Sequence, residues 1–366
     1  MSERRLQYRI DLGQLKRNFA YLAQCAKNCR LMPVLKYDAY GMGAAAIGSA
    51  LRDAGAYRFA SADVNEALEL KKLGLDVQIL GILPDCEIPE AVNANIICPV
   101  CQEAAARMIS NEAVRQNKKV RVAFKLDTGM GRIGFDPEAD TGLIAELMKL
   151  PNLVADGIFS HFSTAGEAES EYAAFQIQRF KVALGRLEQA GCTFPHIHHA
   201  AGDAIVNIAA STMPPFNMAR PGGIMYGSDF TSPCRQIVTL STRIGALRTI
   251  PAGASVGYLR CYQAEKNTPV AVITAGYADG IPLALSNRGR VLVRGKSCPI
   301  LGRVSMDYTV VDISNVPDAE IGDEVVLLGQ QGEDAITIQE WAELKQTHSH
   351  DIWCAIGHRV QRVYLH

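Results

Sequence analysis

The chain has no charge of either sign to spare and no long apolar run. Across 366 residues, 37 Lys and Arg face 38 Asp and Glu, for a formal net charge of -1. Nowhere does a basic run reach the length needed to track a phosphate backbone, which argues against nucleic acid as a partner. No stretch reaches the roughly 18 apolar residues of a membrane-crossing helix, and the opening MSERRLQYRIDLGQLKRN lacks the apolar core of about 7–15 residues of a secretory signal. No membrane association and a cytoplasmic location are therefore expected. Cysteine is sparse as well: ten residues, at 25, 29, 86, 98, 101, 192, 234, 261, 298 and 354, cannot form a disulfide scaffold. Cys98 and Cys101 make one CxxC, but a zinc site usually needs a second pair and a redox site a helix opening on the first cysteine. No metal is expected.

What the chain does have is alternation. From residue 30 to about 228, apolar runs rich in Val, Ile and Leu alternate with amphipathic stretches, the pattern of repeated βα units around a parallel sheet. Strands are expected at Leu31–Lys36, Tyr57–Ala60, Val77–Ile82, Ile96–Pro99, Val120–Leu126, Leu153–Phe159, His196–Ala200 and Met218–Ile224. An open doubly wound sheet shows similar alternation, but a count of eight favours an α/β fold of the (β/α)8 TIM-type barrel kind. Past residue 235 the texture changes to TRIGALRTI, PVAVITAGYADG, GRVLVRGK and EVVLLG, separated by turn residues, with no long helix before AITIQEWAELK. That reads as a mostly antiparallel C-terminal β domain. The expected division is 1–236 for the barrel and 237–366 for the β domain.

In such barrels catalytic groups stand at the carboxyl ends of the strands. Lys36 ends the first run, Lys125 and Asp127 the fifth and His161 the sixth, while Arg220 lies in the eighth with Gly222 and Gly223. A lysine there suits nucleophilic attack on a carbonyl, or is simply solvated at a strand end. His161 and Arg220 read equally as structural groups, and the glycine pair as an anion-binding backbone or a plain turn. Tyr277, between an apolar run and a glycine turn, reads as a core, interface or site residue.

Taken together, VLKYDAYGMG, FKLDTGMGRIGF, GIFSHF, ARPGGIMYG, AGYADG and LGRVSMDY, in this order along nearly the whole chain, resemble the alanine racemase family of pyridoxal 5'-phosphate (PLP) enzymes. The resemblance implies a homodimer interconverting L- and D-alanine, for peptidoglycan, by a two-base scheme. Lys36 would hold PLP covalently and serve one face of the α-carbon, and Tyr277 from the partner subunit would serve the other. Arg220 would meet the pyridine nitrogen, with His161 between it and Tyr277. Tyr40 and the amides of Gly222 and Gly223 would hold the phosphate. Arg132 and the backbone of Met306, the latter also in trans, would hold the substrate carboxylate. Lys125 matches a position that in many members is carbamylated.

The departures fall at the phosphate end. His199 and Ala200 stand where many members carry an Asn-Ser pair whose serine binds phosphate, and His358 where many have a phosphate-contacting tyrosine. Weaker or reorganised cofactor binding is expected, with His198, His199 or His358 as partial replacements. SMDY, in place of the more usual CMDQ, keeps serine or another small amino acid open as substrate. A PLP decarboxylase and a PLP-binding protein with little activity are the competing readings.

Overall fold

A computed structural model describes residues 5–168, 170–228 and 232–366. The chain enters through β1 (Leu6–Asp11), and the Asp11 carboxylate then caps the helix Leu12–Cys25 by accepting the Gln14 N–H at 2.6 Å. Eight short parallel strands follow: β2 (Arg30–Leu31), β3 (Phe59–Ser61), β4 (Val77–Ile79), β5 (Cys98–Val100), β6 (Val120–Lys125), β7 (Leu153–Phe159), β8 (His196–His198) and β9 (Met218–Ala219). Ladders join β3–β4, β5–β6, β6–β7, β7–β8 and β2–β9. The bridges Val34–Ala60, Gln78–Ile97 and Ala201–Arg220 close the remaining seams. The sheet is thus closed on itself, a TIM-like barrel, with all eight strands near their expected places and the fourth displaced toward the C-terminus.

Apolar side chains fill the barrel interior, among them Met32, Ala60, Ile97, Ala123, Phe159 and Met218. Outside, helices bury one stripe each; in Glu171–Gln189 it runs through Ala173, Ile177, Phe180, Leu184 and Leu187. The amino-terminal end of the barrel is sealed by charge. Buried Arg58 donates to Asp156 at 2.6 Å and to Asp76 at 2.9 Å, Arg121 shares Asp76, and His196 lies 3.4 Å from Asp156. These groups satisfy one another at the closed end and leave the carboxyl end open for chemistry.

The second half is a nine-stranded, mostly antiparallel sheet built around the 13-residue β10 (Val238–Ile250), which pairs with Thr268–Ile273 and Glu324–Gln331. The division at 236/237 would leave β1 with the barrel, but β1 pairs antiparallel with β10 and parallel with Gln361–Leu365. Its alternating burial gives it one face to place on that sheet. Thr337 caps the expected helix Ile338–Lys345; a further helix, Ser349–Cys354, returns the chain to the barrel mouth. Among the described residues no helix is long and apolar enough to cross a membrane.

Candidate active site

Directly after Lys36 the backbone does something costly. Tyr37, Asp38, Ala39 and Tyr40 all have φ between 50° and 57°, a left-handed turn of four non-glycine residues. Each such residue costs roughly 1–2 kcal/mol, so the turn persists only because its surroundings dictate it, a pattern that accompanies functional sites. Glu66 accepts the Tyr37 N–H, Asp38 accepts the Ala44 N–H at 2.7 Å, and Ala39 donates to Leu35 O at 2.9 Å. From the far end of the chain Arg362 and Tyr364 donate to the carbonyls of Gly41 and Met42. The turn brings Lys36 and Tyr40 to one cavity, with the lysine ammonium 5.8 Å from the centre of the Tyr40 ring. Tyr40 is only 4% exposed, yet its hydroxyl has no hydrogen-bond partner among the described residues.

That cavity, about 580 Å³, opens at the carboxyl ends of the barrel strands. It brings together Lys36, Lys125, Arg132, His161 and Arg220, and adds Asp203. Four cations thus face it, which favours an anionic ligand. Asp127 does not offset them directly, because its carboxylate accepts the backbone N–H groups of Gly129, Gly131 and Arg132 and so shapes the loop that presents Arg132. Lys125 is 5% exposed and has no ion-pair partner among the described residues; burial, then Arg220 and Arg132, push its amine down to about 8. Burial and the same cations push His161 down to about 3, so its imidazole is neutral.

Arg220 is 2% exposed and meets no carboxylate among the described residues. Its Nη2 donates to the carbonyls of Ser160 at 2.6 Å and His199 at 3.1 Å, and lies 3.4 Å from His161 Nδ1. Its Nη1 donates to His198 Nδ1 and, at 3.3 Å, to His198 O. Nε alone has no protein acceptor among the described residues. Burial lowers this guanidinium to about 9, so it stays charged near neutrality.

The far end of the cavity collects donors. The amides of Gly222, Gly223 and Ile224, all lining residues, donate to nothing among the described residues. Tyr40, Ser228 and His350 line the same end. A Cβ at Gly223 would lie 2.5 Å from His350 Nε2 and 3.1 Å from Ser228 Oγ, and one at Gly222 would lie 3.0 Å from the Tyr40 hydroxyl. Glycine is what lets these side chains close on bare backbone N–H groups, the construction of an oxyanion or phosphate cradle.

Three expected residues lie elsewhere. Tyr277 is 42% and Met306 52% exposed, and neither lines the cavity. They stand beside each other in the C-terminal half, where Ala278 N–H donates to Met306 O at 3.1 Å. His358 is exposed in a turn and does not reach the phosphate end. The C-terminal histidine that does is His350, presented by the helix Ser349–Cys354, with its ring 5.2 Å from that of Tyr40. Nor do His198 and His199 compensate there: both are fully buried, the former stacked on Phe159 and the latter on Phe162. Sequence reasoning missed His350 and Ser228. The only local signals were a serine directly after the YG of RPGGIMYG and a histidine eight residues before His358. As for the CxxC, burial raises the Cys98 thiol to about 12 and that of Cys101 to about 11, the behaviour of inert thiols.

Family models place this architecture plainly. "Alanine racemase, N-terminal domain" matches residues 10–229 and "Alanine racemase, C-terminal domain" residues 237–364. The alanine racemase of Halothermothrix orenii is 35% identical, over 97% of this chain and 95% of that protein. Among solved structures, alanine racemase from Streptomyces lavendulae superimposes with a TM-score of 0.93 at 32% identity, covering 100% of this chain and 98% of that one. Alanine racemase from Bartonella henselae, solved with covalently bound pyridoxal phosphate, gives 0.89 at 27% identity, covering 99% and 100%.

Proposed function

The chain belongs to the alanine racemase family, and from that premise we propose that it interconverts L- and D-alanine with PLP, as a homodimer whose two active sites each draw on both subunits. The product would supply D-alanine for peptidoglycan. The observation that carries this reading is a division of groups. The cavity holds one candidate acid/base, Lys36, and the second, Tyr277, is exposed beside Met306 rather than lining the cavity of its own chain.

The residues present fit PLP. Tyr40, Ser228, His350 and the amides of Gly222, Gly223 and Ile224 would hold its phosphate, the free Nε–H of Arg220 its pyridine nitrogen, and the Lys36 amine its aldehyde carbon. When bound, PLP supplies an electron-withdrawing ring that makes the substrate's α-proton acidic. The rest is work for the chain's own groups. Arg132 and the Met306 amide of the second copy, which donates to no acceptor within its own chain among the described residues, would orient the substrate carboxylate. The Lys36 amine would then take or return the α-proton on one face, and the Tyr277 phenol of the second copy would do the opposite on the other, which inverts the stereocentre. Arg220 keeps its proton near neutrality and so would leave the pyridine nitrogen unprotonated, tempering the ring's pull on electrons. Neutral His161 would accept from Arg220 and so link it to the tyrosine side of the site. Lys125, with no ion-pair partner among the described residues and with Arg132 and Arg220 as charged neighbours, is suited to form a carbamate: its ammonium would give up one proton, the free amine would add CO2 with loss of a second, and a positive charge would be exchanged for a negative one.

The test is a racemisation panel. Purified protein with PLP, offered a range of small L-amino acids including L-serine, should convert L-alanine to D-alanine. Release of CO2 without D-alanine, or PLP binding with no racemisation of any small amino acid, would overturn the reading.

A further inference from the structure

We infer that His198 is a positioning residue for Arg220: its Nδ1 holds the guanidinium in the one orientation that leaves Nε–H free for the ligand. The inference rests on the PLP reading of the site and goes beyond it, because His198 does not line the cavity.

Among the described residues no carboxylate fixes Arg220. Backbone carbonyls of Ser160 and His199 secure Nη2, but the nearest acceptor of Nη1 is a side chain, His198 Nδ1 at 2.5 Å, with the His198 carbonyl farther away at 3.3 Å. For Nδ1 to accept, the imidazole proton must sit on Nε2. That atom is fully buried and finds no partner, so the ring bears the desolvation cost of an unmade hydrogen bond. A residue selected for packing alone at such a place would be aliphatic or aromatic. The ring's placement is dictated by the sheet: β7 and β8 pair Phe159 with His198, the rings stack at 5.0 Å and 13°, and the Arg220 guanidinium lies 5.7 Å from the same Phe159 ring. Phenylalanine, imidazole and guanidinium thus form one buried stack in which only the imidazole offers a lone pair.

The experiment compares wild type with His198→Leu, His198→Asn and His198→Gln. It reads the PLP dissociation constant and the visible spectrum of the holoenzyme, with melting temperature as a separate measure. Losing an acceptor to a charged donor should raise the PLP dissociation constant in His198→Leu on the order of ten- to a hundredfold. His198→Asn keeps an acceptor at the δ position and should stay within about threefold of wild type, by the same argument. A His198→Leu holoenzyme with wild-type affinity and spectrum overturns the inference, as does equal weakening in the Leu and Asn variants. Should His198→Leu fail to fold, the other pair decides: His198→Gln carries its acceptor one bond too far and should bind PLP more weakly than His198→Asn, and equality overturns the inference. Wild-type protein that binds no PLP sinks the functional reading together with this one; an indifferent His198→Leu in a PLP-binding enzyme sinks this one alone.

Discussion

If each active site is assembled from two copies, two inactive variants should repair each other. Tyr277 sits on a rigid platform rather than a loose loop. Its N–H donates to Ser305 O at 2.9 Å, and a Cβ on Gly276 would come within 2.2 Å of that same oxygen, so the two turns are pressed together. Arg359 then clamps both, reaching Asp279 at 2.6 Å and Asp307 at 2.8 Å. A phenol held this firmly, 42% exposed and with no hydrogen-bond partner among the described residues, is positioned to act on something outside that chain. Lys36→Ala and Tyr277→Phe should each lower kcat by roughly 10²- to 10⁴-fold, the range for losing a positioned acid or base. Co-expressed in equal amounts, the two would give about half mixed dimers; each mixed dimer has one site with both groups and one with neither, so roughly a quarter of wild-type specific activity returns in the mixture and about half in the purified mixed dimers. The assay is D-alanine formation by differentially tagged, purified mixed dimers. Mixed dimers no more active than their parents would refute the shared site, and full activity in Tyr277→Phe alone would refute the two-base scheme.

Other perturbations address the cradle, the sealed end and the buried lysine. Gly223→Ala drives a methyl group to 2.5 Å from His350 Nε2, so PLP affinity in absorbance titrations should fall about tenfold or more with the fold intact; unchanged affinity would remove His350 and Gly223 from the phosphate site. Arg58→Leu removes the closest partner of Asp156, 7% exposed, at the closed end of the barrel and leaves it only His196 at 3.4 Å and Arg121 at 3.9 Å. Urea unfolding should show a loss of about 3–5 kcal/mol with PLP affinity unaltered, and a loss below about 1 kcal/mol would mean the network is solvated. Lys125 carries a pH signature. Its ordinary value of 10.5 falls to about 8 in the folded chain, so the unfolded chain holds more protons between those values and stability rises with pH through that window. In CO2-free buffer without cofactor, Lys125→Met should therefore be more stable than wild type at pH 7, by up to about 3 kcal/mol, and the advantage should vanish above about pH 10.5. Bicarbonate should shrink it by converting the amine to a carbamate; an advantage constant across pH would show that the lysine's charge is not what is being relieved.

How far the site could be read ahead of the structure depended on what each residue needs from the rest of the chain. Lys36, Lys125, His161 and Arg220 are placed by a local rule, since a polar residue ending an apolar run in a βα repeat stands at the barrel mouth whatever lies elsewhere. The expectation that these four converge needed only the strand count. His350 obeys no such rule. It reaches Tyr40 and Gly223 because a six-residue helix of the second half returns to the mouth, and no periodicity in SHDIWC announces that. Counting to His358 by resemblance overshot by eight residues, since the turn carrying His358 is spent instead on Arg359, whose contacts to Asp279 and Asp307 brace the Tyr277 platform. His198 failed for the opposite reason. It was counted as a spare phosphate ligand, but strand alternation turns it toward the barrel interior and register sets it on Phe159 beside Arg220. A histidine lost from one end of the cofactor site and another gained beneath the other end are both consequences of long-range packing. At the phosphate end His350 and Ser228 stand where histidines of β8 and the C-terminal turn were expected, and at the ring end His198 lies against Arg220.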